Sequence, residues 1–250
     1  LADVPTQIPS SCIIGGIMTR ADPRDVFVLK AGRPHCQMAD LPAGAVVGTS
    51  SIRRTAQLAL KYPHLRVQDI RGNVPTRLRK LDAEDSPFDA IIIAAAGLIR
   101  LDLGHRITQY LDSSSGEMLY AVGQGAIGVE TRADDENMSK ILSKIEDKAA
   151  SLACIAERSL LRTLEGGCSA PLGVETKWVQ ADVLQMKAIV VSVDGSESVE
   201  SKMQVRLQTT TEADHFGETV AAELLRKGAD RILAAIQAKK MTRPADLEET

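Results

Sequence analysis

Gly44-Ala45-Val46-Val47-Gly48-Thr49-Ser50-Ser51-Ile52-Arg53-Arg54 is the stretch on which the fold turns. Gly44–Gly48 is a short apolar run. Thr49-Ser50-Ser51 supplies helix-capping side chains, and a helical pattern runs from Ile52 to Tyr62 until Pro63 closes it. The alternation then repeats. Leu65–Ile70 alternates as a strand, Arg71-Gly72-Asn73 turns the chain, and Val74–Leu81 has helical spacing. Phe88–Ala95 reads as a fully buried strand, and Gly97 opens a third helical piece. Strand followed by helix, repeated, predicts a parallel sheet with helices on its faces. The loops after such strands share one edge, and ligands of open α/β sheets bind outside that carboxyl edge. The pattern therefore gathers Thr49–Arg54, Arg71–Arg77 and Gly97–Arg100 into one region.

On either side the signals are sparser. Residues 1–43 hold one strand candidate, Cys12–Met18, followed by a loop rich in Asp, Pro and Arg. After Val122-Gly123-Gln124-Gly125-Ala126 come an apolar strand, Ile127–Glu130, and a helix. Residues 147–165 form an amphipathic helix that ends in Gly166-Gly167. Beyond 170 the character changes. Met186–Val193 and Met203–Leu207 read as strands around Asp194-Gly195, and Glu212–Lys227 and Asp230–Lys240 as helices, which predicts a small α+β unit with an antiparallel sheet. There is no internal repeat.

Composition excludes several classes of function. A chain of 250 residues with 44% hydrophobic content has material for about two domains and a buried core. A net charge of -3 and 3% aromatic residues disfavour a nucleic-acid partner. The longest apolar stretch, Ala90–Ile99, is about half of what a membrane-spanning helix needs, so no membrane is expected. Cys12, Cys36, Cys154 and Cys168 have no zinc-like or redox-like spacing, which suits free thiols in a reducing compartment. His35, His64, His105 and His215 are isolated, and no metal site is expected. The chain opens on Leu1 rather than methionine and has no signal-peptide pattern, as if its beginning were missing.

Two constellations carry chemistry. Arg53 and Arg54 lie in the first turn of a capped helix, where cations oppose the helix dipole; an anion bound between them is one explanation. With Arg71, Arg77 and Arg100 they suit a ligand bearing many carboxylates, the alternative being a solvated basic face, to which Arg79 and Lys80 belong more naturally. The second is Glu165-Gly166-Gly167-Cys168-Ser169-Ala170-Pro171. A thiol on so open a loop suits a nucleophile or an attachment point, and equally a small buried side chain. Cys12 and Cys154 sit in apolar periodic stretches and read as core. Asp3 alone is an ordinary turn residue, and Gly123-Gln124-Gly125 is too short for a nucleotide fingerprint.

Taken together, Val47–Arg54, Arg71–Leu78, Ala90–Leu98, Ala121–Ala126 and Leu164–Pro171 resemble the porphobilinogen deaminase (hydroxymethylbilane synthase) family in order and spacing, and Asp3-Val4-Pro5 and Asp22-Pro23-Arg24-Asp25 fit its earlier part. The resemblance implies an α/β fold of two periplasmic-binding-protein-like domains plus a small C-terminal α+β domain. Residues 1–43 and 126–145 would be what remains of an incomplete first domain, 44–121 the second and 146–250 the third. It implies a cytoplasmic monomer that deaminates porphobilinogen and joins four units into a linear tetrapyrrole. Cys168 would hold the dipyrromethane cofactor, made from two substrate molecules, through a thioether. Asp3 would be the catalytic acid–base and electrostatic residue. Thr49, Ser50, Ser51, Arg53, Arg54, Arg71, Gly72, Asn73, Arg77, Ala95, Gly97, Arg100, Gln124 and Gly167 would bind cofactor or substrate.

Two departures follow from the same comparison. The family normally has a substantial segment before the position of Asp3, with strands of the first domain; a molecule that truly began at Leu1 would be expected to fold that domain poorly and to turn over little. The family also usually has a lysine before the aspartate, where this chain has Ala2. A non-catalytic anion-binding module of the periplasmic type, or an inactive fragment of the enzyme, is the competing expectation; the module explains the arginines but not the Gly-Gly-Cys loop.

Overall fold

The computed structural model describes residues 1–116, 118–164 and 170–241. Along the chain come β1 (Cys12–Ile17), β2 (Asp25–Leu29), β3 (Val46–Gly48), α1 (Ile52–Lys61), β4 (Arg66–Gln68), α2 (Val74–Asp82), β5 (Ala90–Ala94), α3 (Ala95–Arg100) and β6 (Gln109–Leu111). They are followed by β7 (Gly128–Arg132), α4 (Glu136–Leu142), α5 (Lys148–Thr163), β8 (Leu172–Gln180), β9 (Val183–Val191), β10 (Ser198–Arg206), α6 (Thr210–Arg226) and α7 (Ala229–Met241). The mixed α/β class expected from sequence is the class observed.

The central sheet has the order β4-β3-β5-β2-β6. Its strands β3, β4 and β5 are parallel, as the strand–helix repeat predicts. β2, however, runs antiparallel to both β5 and β6, so the sheet is mixed. This corrects the reading of Asp25–Leu29 as loop. Its five residues are all buried, and its Val26-Phe27-Val28-Leu29 run is the continuous apolar pattern of a strand covered on both faces. Met38 and Leu41 also pack into the core beneath this sheet, so residues from Asp25 onward sit with 44–121 and not with β1.

Side chains leave the central sheet alternately. Phe27, Val47 and Ile92 meet Leu58 of α1 on one face, while Val26, Val28, Ile91 and Ile93 meet Leu78 and Leu81 of α2 on the other. Each such burial contributes about 1.5–3 kcal/mol. Ser51 caps α1 by accepting from the Arg54 amide at 3.5 Å, and Asn73 caps α2 by accepting from the Thr76 amide at 2.9 Å. Gly72 precedes that cap at φ +121°, a value that favours glycine.

Two smaller sheets flank this one. β1 and β7 form an antiparallel pair against which α4 packs through Leu142. The order β10-β9-β8 makes an antiparallel sheet of three strands. The sequence reading missed the first of these, β8, whose outer half is polar and only partly buried. Leu184, Met186, Ala188 and Val190 of β9 point to α5 and α6, where they join Leu160, Phe216 and Leu224. From the opposite face Ile189 and Val191 meet Ala56 of α1 and Leu119. The hairpin tip of β9–β10 reaches α1 as well: Gly195, at φ +73°, has no room for a Cβ beside the backbone of Ala59 and Leu60.

α5 and α6 touch at Gly217, where an added Cβ would fall on the Ala156 carbonyl oxygen and against Ser159. Gly217→Ala is therefore expected to cost about 1–3 kcal/mol in urea unfolding. Gly104→Ala, with nothing within 4 Å of the new methyl, should change stability by less than about 0.5 kcal/mol.

Candidate functional site

The carboxyl edge of β3, β4 and β5 gathers the loops that the pattern placed there. Ser50 Oγ donates to the Ile70 carbonyl at 3.3 Å, linking the first two loops, and Gly97 lies 3.2 Å from Val74 through its would-be Cβ. Because β2 is antiparallel, its first residue arrives at this same edge: Asp25 pairs with Ala94, the last residue of β5. The anion between Arg53 and Arg54 is thus the protein's own Asp25. Arg53 donates to Asp25 Oδ2 at 2.6 Å, and Arg54 donates to Oδ1 from Nε at 3.1 Å and from a terminal nitrogen at 2.7 Å. Gln124 donates to Oδ1 at 2.8 Å. Asp25 is fully buried, and both arginines are buried.

The charges in this cluster do not cancel. One carboxylate faces two guanidiniums, leaving an excess positive charge in a poorly solvated place. Burial would raise the Asp25 pKa, but Arg53 and then Arg54 outweigh it and bring it down to about 2. Burial draws the Arg53 pKa below its ordinary value against the pull of Asp25. Arg54 makes a further bond to the Ile92 carbonyl at 2.8 Å, so each of its three nitrogens has an acceptor. Arg53 also donates to the Leu119 carbonyl at 2.7 Å, yet its buried Nε has no acceptor among the described residues.

Arg53 lines a cavity of about 240 Å³. Ser50, Ser51 and Ile52 from the start of α1 form one wall, Ala2, Val4 and Thr6 another. Arg158 and Leu161 of α5, with Val122, Ala170 and Leu172, complete it. Ala170 stands two residues after Cys168; Cys168 and Gly167 themselves lie outside the described residues. Asp3 is exposed, between two residues of the cavity wall. Of the described cysteines, Cys154 is no nucleophile, since burial and then Glu157 push its thiol up to about 12.

The remaining residues expected to bind ligand divide by position. Thr49 is buried and accepts from the Ser51 amide at 3.2 Å; Ala95 is buried under the edge. Arg71 is exposed and paired with Asp69 at 2.9 Å. Arg77 donates to the Gly72 carbonyl at 2.7 Å, and its pKa is lowered by burial and then by Arg54, which places the two guanidiniums within each other's field. Arg100 reaches across to the Gly125 carbonyl at 2.9 Å. Sequence reasoning missed Asp25 as a partner, Gln57, which grips both backbone groups of Leu119, and the Glu157-Arg158 pair on α5. The signal for the last was present: two charges inside a run otherwise small or apolar from Leu152 to Leu161.

Glu157 is fully buried and receives a two-pronged grip from Arg20, at 2.6 and 3.0 Å. It also accepts from the Gly123 amide at 2.8 Å and the Thr176 hydroxyl at 2.6 Å. Burial opposes the charge on Arg20, but Glu157 holds its pKa above the ordinary arginine value.

Residues 1–140 match the family model described as porphobilinogen deaminase, dipyromethane cofactor binding domain, and residues 151–226 match the model of the porphobilinogen deaminase C-terminal domain. The chain belongs to the porphobilinogen deaminase family. Porphobilinogen deaminase of Yarrowia lipolytica is 54% identical over 94% of this chain and 69% of its own length. Those of Candida albicans and Saccharomyces cerevisiae are 48% and 46% identical, over 100% and 94% of this chain and 72% of their own lengths. The cavity suits the cofactor named in the porphobilinogen deaminase domain model. Val122, Leu161 and Leu172 offer apolar walls for pyrrole rings, and Ser51 and the incompletely satisfied Arg53 offer donors for their carboxylates.

The Asp25 cluster generates a pH prediction. Its folded pKa lies below the ordinary aspartate value of 3.8, so its contribution is present above that value and is lost as pH falls towards about 2. The contribution is about 2 kcal/mol. Urea midpoints at about pH 6 and about pH 2.5 should show this loss in the native protein and not in Asp25→Asn, which is itself expected to be about 3–5 kcal/mol less stable at the higher pH.

Proposed function

We propose that this chain works as a porphobilinogen deaminase, removing ammonia from porphobilinogen and joining successive pyrrole units head to tail into hydroxymethylbilane on a primer attached to Cys168. The observation that carries the reading is the excess guanidinium charge at the wall of a cavity that is also lined by Ala170, two residues after Cys168 in the chain. A ligand bearing carboxylates on every ring neutralises that charge; a neutral ligand leaves it stranded.

The dipyrromethane, when bound, supplies a free pyrrole carbon from which the chain grows. The protein's residues do the rest. Arg53 and the Ser51 hydroxyl hold ring carboxylates at the start of α1, where free amides and the helix dipole add to the pull. Val122, Leu161 and Leu172 keep water from the rings and so strengthen the charge interactions beside them. Asp3 is the fixed negative charge that stabilises the cationic pyrrole left when ammonia departs, and it moves the proton released as the new carbon–carbon bond forms. Arg77, Arg71 and Arg100 lie further along the edge and take the carboxylates of the lengthening product. Ala2 leaves one cation fewer beside Asp3 than is usual for the family, so carboxylate binding leans more heavily on Arg53.

The same reading has the enzyme acting as a cytoplasmic monomer without nucleic-acid or membrane partners. Unpaired Cys12, Cys36 and Cys154 support a reducing compartment, and the acidic net charge supports the absence of a nucleic-acid partner.

Intact mass of the purified protein tests the primer. The expected result is an excess equal to two linked pyrroles, lost in Cys168→Ser. Asp3→Asn should keep the excess while turnover falls by about a hundredfold or more. Absence of the excess from the native protein would sink the deaminase reading in favour of an anion-binding module, and full turnover in Asp3→Asn would remove Asp3 from the mechanism.

A further inference from the structure

We infer that Arg158 is a positioning residue: it fixes the segment bearing Asp3 onto α5, and so sets Asp3 in register with the chain leading to Cys168. The inference rests on the roles proposed for those two residues. Its observations are separate from them.

Residues 2–10 belong to neither strand nor helix. A carboxylate on such a segment has no fixed place unless something outside holds the backbone. Arg158 does so. One terminal nitrogen donates to the Val4 carbonyl at 3.0 Å and the other to the Pro5 carbonyl at 2.6 Å. The planar fork of the guanidinium spans two successive carbonyls, a geometry that a lysine ammonium does not reproduce. Arg158 is only 9% exposed, so these bonds are made where water competes poorly. Asp3, one residue before this grip, is exposed and receives no hydrogen bond from any described side chain. Its position is inherited from the backbone.

The other end of the connection is α5 itself. The helix continues from Arg158 to Thr163, and Leu164, four residues before Cys168 in the chain, is the last described residue on that side. An α-helix rises about 1.5 Å per residue and bends little over one turn. The anchor of Asp3 and the point from which the chain leads to Cys168 therefore sit on one rigid body. Arg158 lines the same cavity as Ala2 and Val4, so the grip is made at the site and not behind it.

The test is a double-mutant cycle with Asp3, joined to hydrogen exchange. Arg158→Ala should lower kcat about a hundredfold, as a misplacement of about 1 Å does, with KM for porphobilinogen and the bound primer mass little changed. Amides of Val4 and Thr6 should exchange faster while those of α5 stay protected. In an Asp3→Asn background Arg158→Ala should lower kcat no further. Unchanged kcat, unchanged exchange at residues 4–6, or an equal loss of kcat in the Asp3→Asn background would each overturn the inference. If Asp3→Asn alone keeps full turnover, the catalytic reading of Asp3 fails, and the exchange data still judge the anchor. Should Arg158→Ala not fold, Arg158→Lys carries the same cycle: it keeps the charge and serves one carbonyl, and an intermediate loss of kcat is expected.

Discussion

One carboxylate between two guanidiniums organises the middle of this molecule. Asp25 has no water to rely on, so its charge persists only while Arg53 and Arg54 are both in place. Meeting that condition fixes several things at once. β2 must enter the sheet antiparallel, so that its first residue falls at the carboxyl edge. α1 must present its first turn to that edge, although two cations there oppose its dipole. The loop carrying Gln124 must come within hydrogen-bond distance, and the Leu119 carbonyl must face Arg53. Elements distant in the chain are thereby held to a common point, with one positive charge left over on the cavity side.

Much of this was legible in the sequence, and the limits have physical causes. The parallel core of β3, β4 and β5 was readable because periodicity switches cleanly between strand and helix and because Ser51 and Asn73 cap where capping residues are expected. Arg53 and Arg54 stood out for the right reason, a charge conflict that required an anion. What sequence does not reveal is that Asp25, 28 residues upstream of Arg53, supplies it. Local pattern carries no information about which distant residue closes such a cluster. β2 was hidden by its polar preface: Asp22-Pro23-Arg24 reads as a turn, and the strand that follows is only five residues long. β8 was hidden for the opposite reason, because an edge strand half open to solvent lacks a continuous apolar signature. The cysteine loop was singled out from sequence by its glycines and its resemblance, and Cys168 lies outside the described residues, so its reading still stands on those grounds.

The site also shows how unlike elements share work. α1 serves the core through Leu58, the interface with the C-terminal sheet through Ala56, and the cavity through Arg53. α5 likewise packs β9 on one side and meets the cavity on another. A helix with three occupied faces has few free positions, and chemistry placed on it inherits the rigidity of the packing beneath.

The buried clamp of Arg20 on Glu157 has a consequence for heredity. Three stretches of chain converge on that carboxylate of helix α5: the linker after β1, the glycine turn at Gly123 and strand β8. Change at either charged position alone strands its partner in a place that water does not reach. An intermediate carrying only one change is thus less fit than either the starting pair or a matched replacement. Positions 20 and 157, separated by more than half the chain, behave as a single locus, and descendants of this protein can leave the pairing only by crossing a valley.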